Sequence, residues 1–239
     1  MTNIKDDRGF NQVWADTEST RIRAERRCDY MISQMTVSDV SKTSDTSVLE
    51  IGCGTGKNCF MLAQKTGMKI LGTDLCVPFI EDAKKNFQLP NLSFDILNFN
   101  HADQFKGEKF DYIIGNGILH HLYHHLDEAF VNMKHLLKEN GKIIFLEPNL
   151  FNPYVYLIFS YDSLREKARL EPDEMAFSNS FVSKKLIKAG YKNIKVEYKD
   201  FLLPGIPVAL IKPSIIIGDV VEKIPLLKCV SQSIYIVAS

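Results

Sequence analysis

An excess of charge of either sign is the first thing this sequence lacks: 29 basic and 29 acidic residues among 239 give a formal net charge of zero. A balanced chain exerts no global pull on a phosphate backbone, which argues against a nucleic-acid substrate. Cysteine is sparse and unpatterned. Cys28, Cys53, Cys59, Cys76 and Cys229 are odd in number and show no C-x-x-C or zinc-type spacing, so they read as small core residues in a reducing compartment. The first seven residues are polar and acidic with no apolar core, so no secretory leader is expected and the cytoplasm is the expected location. The most apolar stretch, around residues 206–224, is interrupted by Lys212 and Asp219 too soon for a span of about 20 residues. Internal repeats and low-complexity tracts are also missing, and tryptophan occurs once, at Trp14.

What is present is enough apolar material, 45% of residues, for one large core, and the natural expectation is a single α/β domain with additions. The most informative run is Val48-Leu49-Glu50-Ile51-Gly52-Cys53-Gly54-Thr55-Gly56, an apolar strand breaking into a glycine-rich turn that opens a helix. Glycines at 52, 54 and 56 supply positive-φ freedom and bring bare backbone toward a ligand, with the N–H groups of the following helix aimed at it. The spacing selects among nucleotides. A dinucleotide fingerprint, G-x-G-x-x-G, would put its third glycine where Lys57 stands, whereas G-x-G-x-G preceded by Glu50 fits at every position.

On these residues the chain resembles the class I S-adenosylmethionine-dependent methyltransferases. The likeness continues in order. Met68-Lys69-Ile70-Leu71-Gly72-Thr73 reads as a second strand ending in Asp74, followed by Leu75, and residues 91–96 read as a third ending at Asp95 and Ile96. Residues 110–116 read as a fourth, ending at Gly115 and Asn116 and followed by Leu119-His120-His121. Residues 136–145 match a helix, glycine, strand signature with Gly141 as the residue that ends the helix. The resemblance implies a Rossmann-like, seven-stranded, mostly parallel sheet with helices on both faces, an N-terminal helix and an insertion between the fifth and sixth strands. Its last two strands fall at residues 192–198 and 234–238, the last inserted antiparallel between its neighbours. It further implies S-adenosylmethionine as cofactor, with S-adenosylhomocysteine as product. Glu50, Gly52, Cys53, Gly54 and Gly56 would seat the methionine half. Asp74 and Leu75 would take the ribose, Asp95 and Ile96 the adenine, and Gly115 and Asn116 would stand beside the reacting methyl.

Three regions are expected within one domain: an N-terminal helical extension (1–45), a cofactor-binding core (46–148), and the insertion with the C-terminal strands (149–239). Cys28, Met31, Ile32 and Met35 recur at helical spacing, with Arg21, Arg23, Arg26 and Arg27 on the other side as a solvated face or a grip for an anionic substrate. Residues 38–47 read as a linker, and Trp14 either belongs to a lid over the cofactor or simply packs. The segment 149–180 carries Phe151, Tyr154, Tyr156, Phe159, Tyr161 and Phe177, which either wall an apolar acceptor or form the packed stripe of an accessory helix. Glu147, ending the fifth strand, either touches substrate or caps a turn.

Four of six histidines fall at 120, 121, 124 and 125. A metal site would want a third ligand, and no H-E-x-x-H or nearby cysteine pair offers one, so no metal is expected. The catalytic candidates are His120 and His121, as general base or polar wall, together with Glu147. His124 and His125 read as capping or solvated residues. Pro213 is expected to start an amphipathic helix with Ile216, Ile217, Val220, Val221 and Ile224 on one side. That side either packs on the sheet or meets a lipid-like substrate, a bilayer surface or a second subunit. The expected activity is methyl transfer to a small or medium organic acceptor, with no nucleic-acid partner. A nicotinamide-dependent oxidoreductase and a non-catalytic methyltransferase-like subunit stand as the alternatives.

Overall fold

A computed structural model describes residues 16–35, 44–168 and 170–239, so Trp14 and most of the expected linker lie outside the described residues. Strand β1 (Ser47–Ile51) is flanked in parallel by β2 (Lys69–Thr73) and β4 (Phe110–Asn116). Strand β3 (Leu92–Asp95) extends the sheet beyond β2, and β5 (Leu137–Pro148) extends it beyond β4. The last strand, β7 (Ser233–Ala238), runs antiparallel between β5 and β6 (Lys195–Lys199), which gives the order β3-β2-β1-β4-β5-β7-β6. This is the expected seven-stranded Rossmann-like sheet. Chain order reverses between β1 and β4, and in open α/β sheets that switch point opens a ligand crevice at the carboxyl ends of the strands.

The strands are apolar on both faces because both faces are covered. Val48, Ile114, Ile144 and Tyr235 pack with Cys28 and Met31 of α1 (Glu18–Gln34), with Cys59 and Leu62 of α2 (Lys57–Thr66), and with Ile80 and Ala83 of α3 (Val77–Asn86). Their neighbours Leu49, Ile113, Phe145 and Ile236 point the other way. They meet Phe130 and Met133 of α4 (Leu126–Leu136), and Val182 and Leu186 of α7 (Asn179–Lys188). Phe130, Phe145 and Phe177 are fully buried, each contributing about 1.5–3 kcal/mol of apolar burial. Four of the cysteines, Cys28, Cys53, Cys59 and Cys76, are buried free thiols.

Three local expectations are corrected. Helix α4 ends at Leu136, so Gly141 is not its terminating residue; it lies inside β5, where the positive φ of 63° belongs to Asn140 instead. A Cβ at Gly141 would stand 3.0 Å from the Lys138 carbonyl oxygen and 3.1 Å from that of Asp111, so close backbone approach selects glycine there. Helix α8 (Val208–Val221) begins before Pro213 rather than at it. The proline removes the N–H owed to the Ala209 carbonyl, a loss solvent can offset because both residues are exposed. The apolar side of α8 does not pack on the sheet: Ile216, Ile217 and Val220 are exposed, while Ile211 and Gly218 are buried, the latter tight against Phe201. No helix among the described residues is long and apolar enough to cross a membrane.

Candidate active site

The carboxyl edge of the sheet gathers the acidic strand ends. Gly52, Gly54 and Gly56 adopt φ values of 63°, 54° and 79°, the left-handed conformation that glycine accepts without strain. The three differ in what covers them. A Cβ at Gly52 would meet Ile118 Cδ1 at 2.4 Å, and one at Gly56 would meet the Phe94 ring at 2.6 Å, whereas a Cβ at Gly54 would meet nothing within 4 Å. Gly54 is therefore the point where bare backbone faces open space. Asp74 fixes this loop by accepting the Gly54 N–H at 2.9 Å through one oxygen and the Cys76 N–H at 2.8 Å through the other. Leu75 and Ile96, just past β2 and β3, are exposed beside it, and Asp95 accepts the Ile96 N–H at 2.8 Å.

Glu50 is buried beneath the loop. Its carboxyl accepts from the Cys59 thiol at 2.8 Å and from the Asn58 amide at 3.0 Å. Burial drives its pKa up to about 7; the bonds from Cys59 and Asn58 offset only part of that, and Asp74 adds to it. The Asn58 side-chain oxygen is a buried acceptor without a donor among the described residues. An acceptor of this kind beside a carboxyl suits an ammonium group, and the open backbone at Gly54 leaves room for the rest of an amino-acid-bearing nucleoside. The residues present thus fit S-adenosylmethionine.

Beyond β4 the chain makes a tight 3-10 turn over Leu119–His125, broken at Leu122. Helical i, i+4 pairing of His120 with His124, or of His121 with His125, therefore does not form. His124 and His125 are exposed, while His120 and His121 turn inward with ring centroids 4.3 Å apart. Glu147 holds this turn from β5. Its carboxylate, 1% exposed, accepts the N–H groups of Ile118, Leu119 and His120 at 3.0, 2.8 and 3.3 Å. It also lies 2.8 Å from His120 Nδ1. A carboxylate surrounded by donors requires the proton on Nδ1, so the open lone pair of His120 is on Nε2. Glu147 is thereby a cap, but of the turn after β4 rather than of the turn that follows it.

Two further acids complete the cluster. Glu174 is buried, with one oxygen 3.1 Å from His121 Nδ1 and the other 3.8 Å from His120 Nε2, and Glu171 approaches His121 Nδ1 at 3.6 Å. Burial alone lowers the His121 pKa, but the hydrogen bond and charge of Glu174, with Glu171 behind it, leave the value raised. For Glu174 burial acts upward and His121 downward, and the value ends lowered. Neither acid was among the sequence candidates. The one available signal was the pair of glutamates three apart in Glu171-Pro172-Asp173-Glu174.

Asn116 leads to a second correction. Arg27 of α1 donates to Asn116 Oδ1 at 2.7 Å, to Ser233 Oγ at 2.6 Å and to Asp200 at 2.9 Å, and Arg23 reaches Asp200 at 2.6 Å. These two arginines are internal ties, not a solvated face, whereas Arg26 and Arg21 pair at the surface with Asp219 and Glu18. The aromatic segment divides. Phe159 and Phe177 are buried, while Phe151, Tyr154, Tyr156 and Tyr161, on and around α5 (Pro153–Ser160) and α6 (Asp162–Ala168), stay exposed.

Residues 42–189 match the family model described as a methyltransferase domain. The malonyl-[acyl-carrier protein] O-methyltransferase of Acetivibrio thermocellus is 26% identical over 138 residues, covering 56% of this chain and 47% of the relative. The chain spans less than half the length of the curated relatives it matches. Among solved structures, a SAM-dependent methyltransferase from Archaeoglobus fulgidus aligns with a TM-score of 0.61 at 16% identity, covering 91% of this chain and 93% of that one. Magnesium protoporphyrin IX methyltransferase from Synechocystis, solved with bound S-adenosylhomocysteine, aligns with a TM-score of 0.59 at 14% identity, covering 95% and 88%. The chain belongs to the S-adenosylmethionine-dependent methyltransferase family.

Proposed function

We propose that this chain transfers the methyl group of S-adenosylmethionine to a small or medium organic acceptor that is apolar or carries an apolar tail. The observation that carries the reading is the meeting, at one sheet edge, of the open Gly54 backbone, the orphan Asn58 acceptor beside Glu50, and a histidine pair held by buried carboxylates. When bound, S-adenosylmethionine supplies an electrophilic methyl on a sulfonium. The protein's own task is then to hold the acceptor in line and to take a proton if one must leave. Glu50, Asn58 and the loop from Gly52 through Cys53 to Gly56 would hold the methionine half. Asp74 with Leu75, and Asp95 with Ile96, would take ribose and adenine, while Gly115 and Asn116 border the acceptor. His120 through Nε2, or His121, would accept the proton of a hydroxyl acceptor, with Glu147 as the positioning residue.

The apolar character of the acceptor is supported by the exposed rings of α5 and the exposed aliphatic side of α8. Of the similar proteins, the one named for magnesium protoporphyrin IX acts on a largely apolar macrocycle, which agrees with this reading. The four buried free thiols support a reducing, cytoplasmic location.

Calorimetry with S-adenosylhomocysteine and with NAD tests the cofactor half of this reading, and release of S-adenosylhomocysteine across a panel of apolar and hydrophilic acceptors tests the other. Binding of S-adenosylhomocysteine but not NAD, with turnover only on apolar acceptors, is expected. Binding of NAD alone would return the oxidoreductase alternative, and cofactor binding without turnover on any acceptor would return the non-catalytic one.

A further inference from the structure

The reason for expecting no metal was the lack of a third ligand, and the fold supplies one. His120, His121 and Glu174 each offer a ligand atom, and the three atoms lie within 4.8 Å of one another. His121 Nδ1 lies 3.1 Å from one Glu174 carboxylate oxygen and His120 Nε2 lies 3.8 Å from the other, each close to the distance of about 3.4 Å that two ligands at zinc-type bond lengths subtend in a tetrahedron. We propose that His120 Nε2, His121 Nδ1 and a Glu174 carboxylate oxygen form a binding site for a divalent transition-metal ion, with a fourth position open on the acceptor side.

The surroundings of the three ligands point the same way. His120 gives its other ring N–H to the buried Glu147 carboxylate, the arrangement that fixes tautomer and ring plane in histidines that bind metals. A fully buried acid tied to three backbone N–H groups is a rigid anchor for that ring. The Glu174 side is braced too. Arg165 donates to the main-chain carbonyls of Phe159, Glu171, Pro172 and Glu174 at 3.0, 2.9, 2.9 and 3.1 Å, which pins the acidic loop as a unit. Met175 then closes the loop onto the histidine turn by donating its N–H to the His120 carbonyl at 3.3 Å. Two nitrogens with one carboxylate, and no thiolate among the ligands, suit Zn²⁺, Co²⁺ or Mn²⁺ better than Mg²⁺, whose preference is for oxygen. Glu171, at 3.6 Å from His121, stands as a spare anion for a larger coordination shell.

Ion binding at this site does not depend on methyl transfer. Its use there does: if the proposed function holds, an acceptor hydroxyl reaching the ion would be more easily deprotonated, and with both histidine lone pairs engaged by the ion the proton would pass to solvent rather than to His120 or His121.

The test uses the full chain, stripped with a chelator and titrated with Co²⁺ while visible d–d absorption is followed, then with Zn²⁺ by calorimetry. S-adenosylhomocysteine affinity is measured on the same samples. One equivalent of Co²⁺ should bind and be displaced by Zn²⁺. Glu174→Gln and His121→Gln should each weaken the ion by well over tenfold while retaining S-adenosylhomocysteine binding. Glu147→Gln should weaken it by about 10- to 100-fold through loss of ring orientation. A double His124→Ala/His125→Ala variant should bind the ion as the parent does. Absence of saturable Co²⁺ binding in the parent would overturn the proposal. So would loss of the ion in the His124/His125 variant with retention in Glu174→Gln. Failure of the parent to bind S-adenosylhomocysteine would count against the cofactor reading alone, since the ion titration is read independently.

Discussion

Glu147, near the end of β5, meets His120, in the turn that follows the adjacent parallel strand β4, and their contact of 2.8 Å between carboxylate and Nδ1 is one of four donations the same carboxylate receives. Replacing Glu147 with Gln would turn an amide –NH2 donor toward the N–H groups of the turn. We expect a stability loss of about 1–3 kcal/mol in urea unfolding. Turnover should fall roughly 10- to 100-fold, with S-adenosylhomocysteine affinity little changed. Equal losses in turnover and cofactor affinity would mean that the turn, and not the ring, is what Glu147 serves.

The glycine loop separates two kinds of defect. Gly56→Ala would push a methyl into Phe94 and into Ala83, whose Cβ would lie 2.9 Å away, so it should destabilise the fold by about 1–3 kcal/mol. Gly54→Ala meets no atom and should cost only the strain of its φ, about 1–2 kcal/mol. Its methyl occupies the space proposed for the cofactor, so S-adenosylhomocysteine affinity should drop on the order of tenfold or more, about 1.4 kcal/mol. Thermal melts and calorimetry on both variants distinguish the two.

Glu50 makes stability depend on pH. Its pKa is about 7 in the folded chain and 4.5 ordinarily, so folding disfavours the ionised form. The folded state is therefore progressively less stable as pH rises from about 4.5 to 7, by up to about 3 kcal/mol. Glu50→Gln should raise the unfolding free energy of the ligand-free protein at pH 8 and leave it nearly unchanged at pH 4.5. The α-ammonium of the amino-acid half, placed beside Glu50, reverses the balance, so S-adenosylhomocysteine should bind the parent more tightly as pH rises toward 7. A pH-independent affinity would remove Glu50 from the cofactor site.

Asp200 is shared by Arg23 and Arg27 in the interior, and its pKa is lowered because the two guanidinium groups outweigh burial. Since the folded value lies below 3.8, this tie is present above the ordinary carboxyl pKa and is lost as pH falls below it. Asp200→Asn tolerates the positive φ of 75° but leaves the part-buried Arg23 and Arg27 guanidinium groups without their acidic partner. A loss of about 3–5 kcal/mol at pH 7, shrinking below pH 4, is the expected result of urea titrations.

Helix α8 offers an exposed aliphatic side, and around it Lys212, Lys223 and Lys228 have no acidic partner among the described residues, whereas Asp219 and Glu222 are paired with Arg26 and Lys199. If the acceptor is delivered from a lipid phase, vesicles containing phosphatidylserine should co-sediment the protein, less so at high salt. The double Ile216→Asp/Ile217→Asp variant should stay in the supernatant. Indifference of the parent to vesicles would leave this surface without a role in acceptor delivery.

What was legible in the sequence was whatever is written locally. Positive-φ glycines, strand ends marked by Asp74 and Asp95, and the helical period of Cys28, Met31 and Met35 all lie within a few residues of what they specify, so spacing alone reveals them. The histidine site was only half legible. His120 and His121 could be seen, but Glu174 is brought to them by Arg165 gripping four carbonyls and by Met175 bonding back to His120, which no periodicity encodes. Arg27 was misread for a related reason. Its partner Asp200 is 173 residues away, and on a helical wheel a buried arginine looks like a solvated one. Gly141 and Pro213 show a further limit, since both were assigned the commonest use of their residue type while tertiary contacts imposed a rarer one.

The placement of β7 has a consequence for biosynthesis. Residues 233–238 lie inside the sheet, bonded to β5 on one side and β6 on the other, yet they are translated after every other strand. Until they emerge, β5 and β6 each present an unpaired edge, the kind of surface that recruits other nascent chains. A product shortened before residue 233 would not be a slightly smaller protein. It would be a sheet with its wedge removed, and it should depend on chaperones or be degraded even though every cofactor-contacting residue proposed here is present.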